Sequence, residues 1–336
     1  TEENLGQVYA DMVDFECDKY SIAPAGGAIA IAHYKSRDDN GYFKQIHVYD
    51  SYTNLISVID LDFERTLNCL YMTPEECIVL VYSNGTIMTY NLRGTKLAQN
   101  NDYDGNTIVL NFVSFWKTGA FIVDTSNKVW IVSNFADLKI RLFCNYAGGN
   151  SLESVYTLGG VSMTQQDHAF WAVNSDGGIV LIQDGEYKTA ENPYQVSQIA
   201  FAPDRSMALI RVENSYVLGD SLLSKFYLNI NFEDVEPKYI IWCGSDTILL
   251  VCEDQIVMLG NAESTIKWEM PSMVAGITEY DGARFFTSKG VFTIRAISDI
   301  AYQFAIWNLK HPAVRLLLLM HDDQALAIKD AIDHFT

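Results

Sequence analysis

Six histidines, six cysteines and 42 acidic side chains give this 336-residue chain the raw material for metal or acid–base chemistry, so spacing decides whether any of it is usable. His33, His47, His168, His311, His321 and His334 form neither an HExxH nor any short pair, which gives zinc little support. The cysteines at 17, 69, 77, 144, 243 and 252 sit mostly inside apolar runs without a CxxC, the usage expected of reduced, buried thiols. Cys69 with Cys77, and Cys243 with Cys252, fall on adjacent strands where they could be neighbours, with small buried hydrophobes as the expected role. GNSLE, Gly149 to Glu153, lacks the second glycine of a nucleophile elbow, so the tight strand-to-helix turn that exposes such a serine is not available. AGGAIAIA, 25 to 32, has neither GxGxxG spacing nor a Lys-Ser/Thr ending and reads as a turn entering a strand. NDYDGN, Asn101 to Asn106, offers carboxylates but no glutamate where a calcium loop requires one, and reads as a polar turn. Asp11, Asp14, Glu16 and Asp18 read as a solvated acidic face, with docking of a basic partner as the alternative. Expected catalytic, cofactor-binding and metal-ligating residues are therefore none.

Chemistry that is absent from the motifs has to be sought in architecture. Hydrophobic residues make up 49% of the chain and charged residues 19%, a composition that packs rather than one that stays disordered. The formal charge of −19 repels a nucleic acid or an anionic lipid surface. No run reaches the ~18 apolar residues of a spanning helix, and TEENLGQ at the start is no signal peptide. The expectation is a soluble cytoplasmic protein. The missing initiator Met, and an ending inside a helical pattern, read as a piece of a longer protein.

LVYSNGTIMTY, Leu80 to Tyr90, is a hairpin signal in which Asn84 and Gly85 suit a type I′ turn. Asn84-Gly85-Thr86 also matches a glycosylation sequon, but the hairpin accounts for it better. Similar units occupy 28–50, 120–132, 169–182, 207–219, 247–260 and 283–294. Their second strands begin near 45, 86, 128, 178, 215, 255 and 290, a period close to forty. A further strand signal precedes most hairpins, as in TLNCLYMTP, and a fourth often follows, as in NLISVIDLD. Seven such units predict an all-β, seven-bladed β-propeller, in which Trp116, Trp130, Trp171 and Trp242 belong to blade cores. The propeller is expected over 1–297, with Gln7 to Cys17 supplying the outer strand of blade seven. After Ser298 the period becomes helical. Ala325, Ile328, Ile332 and Phe335 form one apolar stripe, so 298–336 reads as the start of an α-solenoid.

Several segments resemble the N-terminal domain of the vacuolar protein sorting-associated protein 16 family. They are SIAPAGGAIAIA (21–32), FADLKIRLF (135–143), YIIWCGSDTILLVCEDQIVMLGNAES (239–264) and EYDGARFFTSKGVFTI (279–294). AVRLLLLM (313–320) and AIDHFT (331–336) are similar to the passage from propeller to solenoid in that family. The resemblance implies a non-enzymatic scaffold without a cofactor, a subunit of the HOPS and CORVET membrane-tethering complexes on late endosomes and lysosomes or vacuoles. It implies as partners the other subunits of those complexes and a Sec1/Munc18-type protein, vacuolar protein sorting-associated protein 33, held by solenoid beyond Thr336. A coat or transport subunit of similar build, and a propeller enzyme, are the alternatives.

Overall fold

The computed structural model describes residues 18–295 apart from 158–168, 232–236, 260–264 and stretches of one to three residues. The chain divides into two compact units, Thr1–Ile294 and Arg295–Thr336, and the second lies almost wholly outside the described residues. The helical start expected from 298, and the closing strand expected at 7–17, also lie outside them.

Runs of β-branched and aromatic residues between turn signals form 27 strands in seven antiparallel sheets, and among the described residues there is no α-helix. Blade 1 is β1 (Lys19–Ile22), β2 (Ile29–Ala32), β3 (Gln45–Tyr49) and β4 (Leu55–Asp60). Blade 2 is β5 (Leu67–Met72), β6 (Ile78–Tyr82), β7 (Ile87–Tyr90) and β8 (Lys96–Asn100). Blade 3 is β9 (Leu110–Trp116), β10 (Gly119–Asp124), β11 (Lys128–Val132) and β12 (Ile140–Asn145). Blade 4 is β13 (Leu152–Thr157), β14 (Ala169–Asn174), β15 (Ile179–Gln183) and β16 (Glu186–Thr189). Blade 5 is β17 (Gln198–Phe201), β18 (Met207–Val212), β19 (Ser215–Asp220) and β20 (Phe226–Asn231). Blade 6 is β21 (Tyr239–Cys243), β22 (Thr247–Val251), β23 (Gln255–Leu259) and β24 (Thr265–Glu269). Blade 7 has three described strands, β25 (Met273–Glu279), β26 (Gly282–Thr287) and β27 (Gly290–Arg295).

Burial explains why the second strands of blades 1 to 6 are continuous apolar runs, with polar residues only toward their ends, instead of alternating. Every residue of β2, β6 and β10 is buried, because successive side chains leave the sheet on opposite faces and a blade covers each face. On β6, Leu80 and Tyr82 pack toward blade 1 while Val79 and Val81 pack toward Ala120 and Ile122 of blade 3. The pattern continues round the ring. Phe121 meets Phe170, Trp171 packs with Ile210, Leu209 packs with Leu250, and Leu249 packs with Phe285. Phe286 of blade 7 then packs with Ile29 and Ile31 of blade 1. Seven blades joined by seven seams make a closed ring. Each aliphatic side chain buried at a seam contributes about 1.5–3 kcal/mol, so no blade is stable without its neighbours.

The hairpin at Asn84-Gly85 forms where expected, with a different turn. Only Gly85 takes a positive φ, +79°, and Asn84 does not, so the turn is not type I′. The Gly85 N–H donates to the Tyr82 carbonyl at 2.8 Å and the Tyr82 N–H to the Thr86 carbonyl at 2.9 Å. That is a type I turn followed by a left-handed residue, a three-residue loop that also matches strand twist. Asn84 contributes through its side chain, whose Oδ1 accepts the Thr86 N–H at 3.2 Å. The same device recurs with an Asx residue at its first position. Asn91, Asp124 and Asn174 each accept two backbone N–H groups of their own turn, capped by Gly94, Asn127 and Gly177 in the left-handed region.

Candidate functional site

The motifs that could have carried chemistry turn out to be turns and strand starts. In 25–32, the Ala23 N–H donates to the Ala28 carbonyl and β2 follows, while the Ala28 N–H donates to Glu76, the wrong environment for a phosphate. In GNSLE, Asn150 hydrogen-bonds Asp176, Ser151 accepts the Ser175 N–H through its carbonyl, and Leu152 opens a strand rather than a helix. In 101–106, Asp102 accepts the Gly105 N–H at 3.0 Å within a turn. The four tryptophans expected in blade cores are all buried.

The cysteine pairs are not brought together. Cys243 pairs with Thr247 at one end of β21 and β22, whereas Cys252 follows Val251, which pairs with Tyr239 at the other end. Cys69 pairs with Val81, and Cys77 precedes Ile78, the partner of Met72. None of the five described cysteines is in a disulfide, and burial pushes the thiols of Cys69, Cys77, Cys144 and Cys252 up, away from a reactive thiolate.

Polar groups gather instead at the seam where blade 7 meets blade 1. Register places Ile31 opposite His47 and Ile29 opposite Tyr49, so His47 and Tyr49 share the face that meets Phe286. The His33 and His47 rings meet edge-on with centroids 4.9 Å apart. Nδ1 of His33 lies 2.9 Å from Asp18 Oδ2, Asp18 Oδ1 accepts the Tyr34 N–H at 2.6 Å, and Nδ1 of His47 lies 3.1 Å from the Tyr49 hydroxyl. Burial first, and then the His33 charge, lower the pKa of His47. Asp18 therefore departs from the solvated face expected of it. Its side chain is 3% exposed because it anchors His33 and the Tyr34 backbone; Asp11, Asp14 and Glu16 lie outside the described residues. Across the seam, Arg284 and Glu279 are buried 2.8 Å apart, and Arg284 Nη2 donates to the Ala23 carbonyl of blade 1 at 2.9 Å. The Arg284 Nε–Glu279 Oε1 contact makes them a buried ion pair.

These groups weld the ring, and they present no substrate-sized hollow with a nucleophile beside a base. An open groove of about 650 Å³ lies between blades 4 and 5, where Glu153, Asp176, Glu213 and Arg211 surround turn backbone. Among the described residues no three His, Cys, Asp or Glu side chains gather as metal ligands, and no helix is long and apolar enough to cross a membrane. Sequence reading missed the Asp18–His33–His47–Tyr49 group because 15 residues separate Asp18 from His33 and a strand pairing brings His47 across.

What the geometry defines is a closed propeller whose polar residues hold blades together and whose outer strands face solvent. Solved structures of the same architecture include the C-terminal WD40 domain of Sif2, with a TM-score of 0.56, 13% identity and coverage of 82% of this chain and 80% of that one. A streptogramin B lyase structure has a TM-score of 0.56 and 13% identity, covering 81% of this chain and 91% of that one. One neighbour is a lyase, so the fold alone does not choose between enzyme and scaffold. Residues 6–320 match the model for the N-terminal region of Vps16, and the chain belongs to that family. A probable vacuolar protein sorting-associated protein 16 homolog of Schizosaccharomyces pombe is 23% identical over 86% of this chain, and VACUOLELESS1 of Arabidopsis thaliana 19% over 96%. The chain spans 36% and 40% of the length of these relatives.

Proposed function

We propose that this propeller is a non-enzymatic scaffold in a HOPS/CORVET-type tethering complex, acting in traffic from endosomes to lysosomes or vacuoles. The observation that carries the reading is the family match over 6–320 on a chain whose described polar clusters are built into blade seams. A rigid ring offers loops and strand edges for polar contacts with other subunits. Its charge of −19 makes peripheral membrane residence a matter for those subunits rather than for direct lipid contact. The Sec1/Munc18-type partner, vacuolar protein sorting-associated protein 33, is held by solenoid beyond Thr336. Affinity purification of the longer protein is expected to recover that partner, and purification of 1–336 to recover none of it. Recovery of coat subunits instead, or strong binding of the partner by 1–336, would overturn the assignment.

A further inference from the structure

Among the described residues the outer strand of each blade has one edge without a partner strand, and folded proteins protect such edges with Lys, Pro or short strands. Here the protection is uneven. Lys96 lies in β8, Arg141 in β12, Lys188 in β16 and Lys267 in β24, and Lys225 directly precedes β20. β4, LISVID, has no such residue, and neither Lys nor Arg occurs anywhere from Gln45 to Glu64. Its Leu55, Ile56 and Val58 are 54%, 40% and 39% exposed, three large apolar side chains on one six-residue edge strand. Leu55 pairs with Tyr49, Val58 with His47 and Asp60 with Gln45, so all three project on one face, while Ser57 on the opposite face is tied to the Leu92 carbonyl of blade 2 at 2.6 Å. A register shift near Ile56 bends only the start of the strand.

We propose that β4 is a strand-addition edge, which takes an extended segment of a partner protein carrying alternate apolar side chains flanked by Lys or Arg. The inference rests on the reading of the propeller as a protein-contact scaffold. Main-chain pairing to the free edge supplies the docking mode, and Leu55 and Val58 supply the contact for alternate side chains. Charge selects the occupant. Asp60 stands on the same face at the strand's end, with Asp62 and Glu64 following in the chain. A second copy would set Asp60 and a chain of −19 against itself. The chain's own start, Thr1 to Cys17, has acidic residues and no Lys or Arg, so it is repelled in the same way.

The test uses the 1–336 chain and a short fluorescent peptide with Val at alternate positions, Thr between them and Lys at both ends, read by polarisation. Leu55→Lys with Val58→Lys is expected to weaken binding at least about tenfold, since it places charge on the apolar anchors and opposes the peptide's own lysines. Leu97→Lys, at an exposed leucine of β8, should leave binding unchanged. The peptide ended with Glu should bind more weakly, and added salt should weaken the Lys form. Absence of saturable binding, or equal binding to the double variant with its thermal unfolding intact, overturns the proposal. So does self-association of the wild type that the double variant abolishes, since a second copy would then occupy the edge. Recovery of the Sec1/Munc18-type partner by the longer protein reports on the sorting role separately and should be untouched by the β4 substitutions.

Discussion

Glu279→Gln tests whether the buried pair at the closing seam is what it looks like. The side chains of Arg284 and Glu279 are 9% and 7% exposed, so water screens their attraction very little. Neutralising the carboxylate while keeping its shape removes the counter-charge of a buried guanidinium, a loss of about 3–5 kcal/mol when the surroundings cannot relax. The retained amide oxygen can still accept a hydrogen bond, which places the expected loss near the lower figure. Arg284→Met removes the guanidinium from Glu279 and also strips the Ala23 carbonyl of its donor, adding about 1–3 kcal/mol. Against a total stability of roughly 5–15 kcal/mol either change is large. The combination Glu279→Leu with Arg284→Met removes both charges and is expected to recover most of the loss, because apolar groups of similar volume replace a buried pair at little cost. Urea unfolding followed by tryptophan fluorescence gives the three values, and Glu279→Leu alone as a fourth variant closes the cycle that gives the coupling between the sites. Single variants within about 0.5 kcal/mol of wild type, or a double variant no better than the worse single, would refute the reasoning.

Two other perturbations probe the fold at separate levels. The pKa of His47 is depressed from 6.5 by burial and by His33, so the unfolded chain binds the proton more readily. Stability is then lost as pH falls through the free value and levels off below the depressed one, and His47→Gln should flatten that slope in melts taken across the window. Gly85→Ala puts a Cβ 2.6 Å from Ile108 Cδ1 and 2.8 Å from the Tyr103 hydroxyl at a φ of +79°, adding overpacking of about 1–3 kcal/mol to backbone strain of about 1–2. Gly105→Ala, with φ +76° and nothing within 4 Å, carries the strain alone, so equal drops in melting temperature would show that the Gly85 environment gives way.

Which features could be read from the chain, and which could not, follows from sequence separation. Each hairpin is a local object: LVYSNGTIMTY contains both strands and their turn, and all seven hairpins formed where their patterns lay. Middle strands announced themselves because a strand covered on both faces reads as a continuous apolar run. Turn geometry was read less well, since Asn-Gly suits type I′ and also a type I turn with a left-handed glycine, and only backbone angles separate the two. The cysteines failed on register. The register sets Cys243 opposite Thr247 and not opposite Cys252, so the two thiols fall at opposite ends of the same two strands. Asp18 looked solvated because charged residues are mostly exposed, and its partner was invisible from the sequence around it.

The ring-closing seam is the extreme case, and its polarity has a physical reason. Six seams join blades that follow each other in the chain, so a short linker already delivers the correct partner. The seventh must find a sheet whose contact, Arg284 to Ala23, is separated by 261 residues. Apolar faces built from Ile, Val and Phe are similar from blade to blade, and a swapped or slipped ring would bury a comparable hydrophobic area. Directional groups distinguish the faces. A misplaced blade 7 would bury Glu279 and Arg284 without the Ala23 carbonyl, and a misplaced blade 1 would bury His47 and Tyr49 against a surface not shaped for them. The penalty for an unmatched buried polar group, about 1–3 kcal/mol each, falls on the wrong arrangements and not on the right one. That is the advantage of placing the buried Arg284–Glu279 ion pair at the one joint that chain connectivity does not specify.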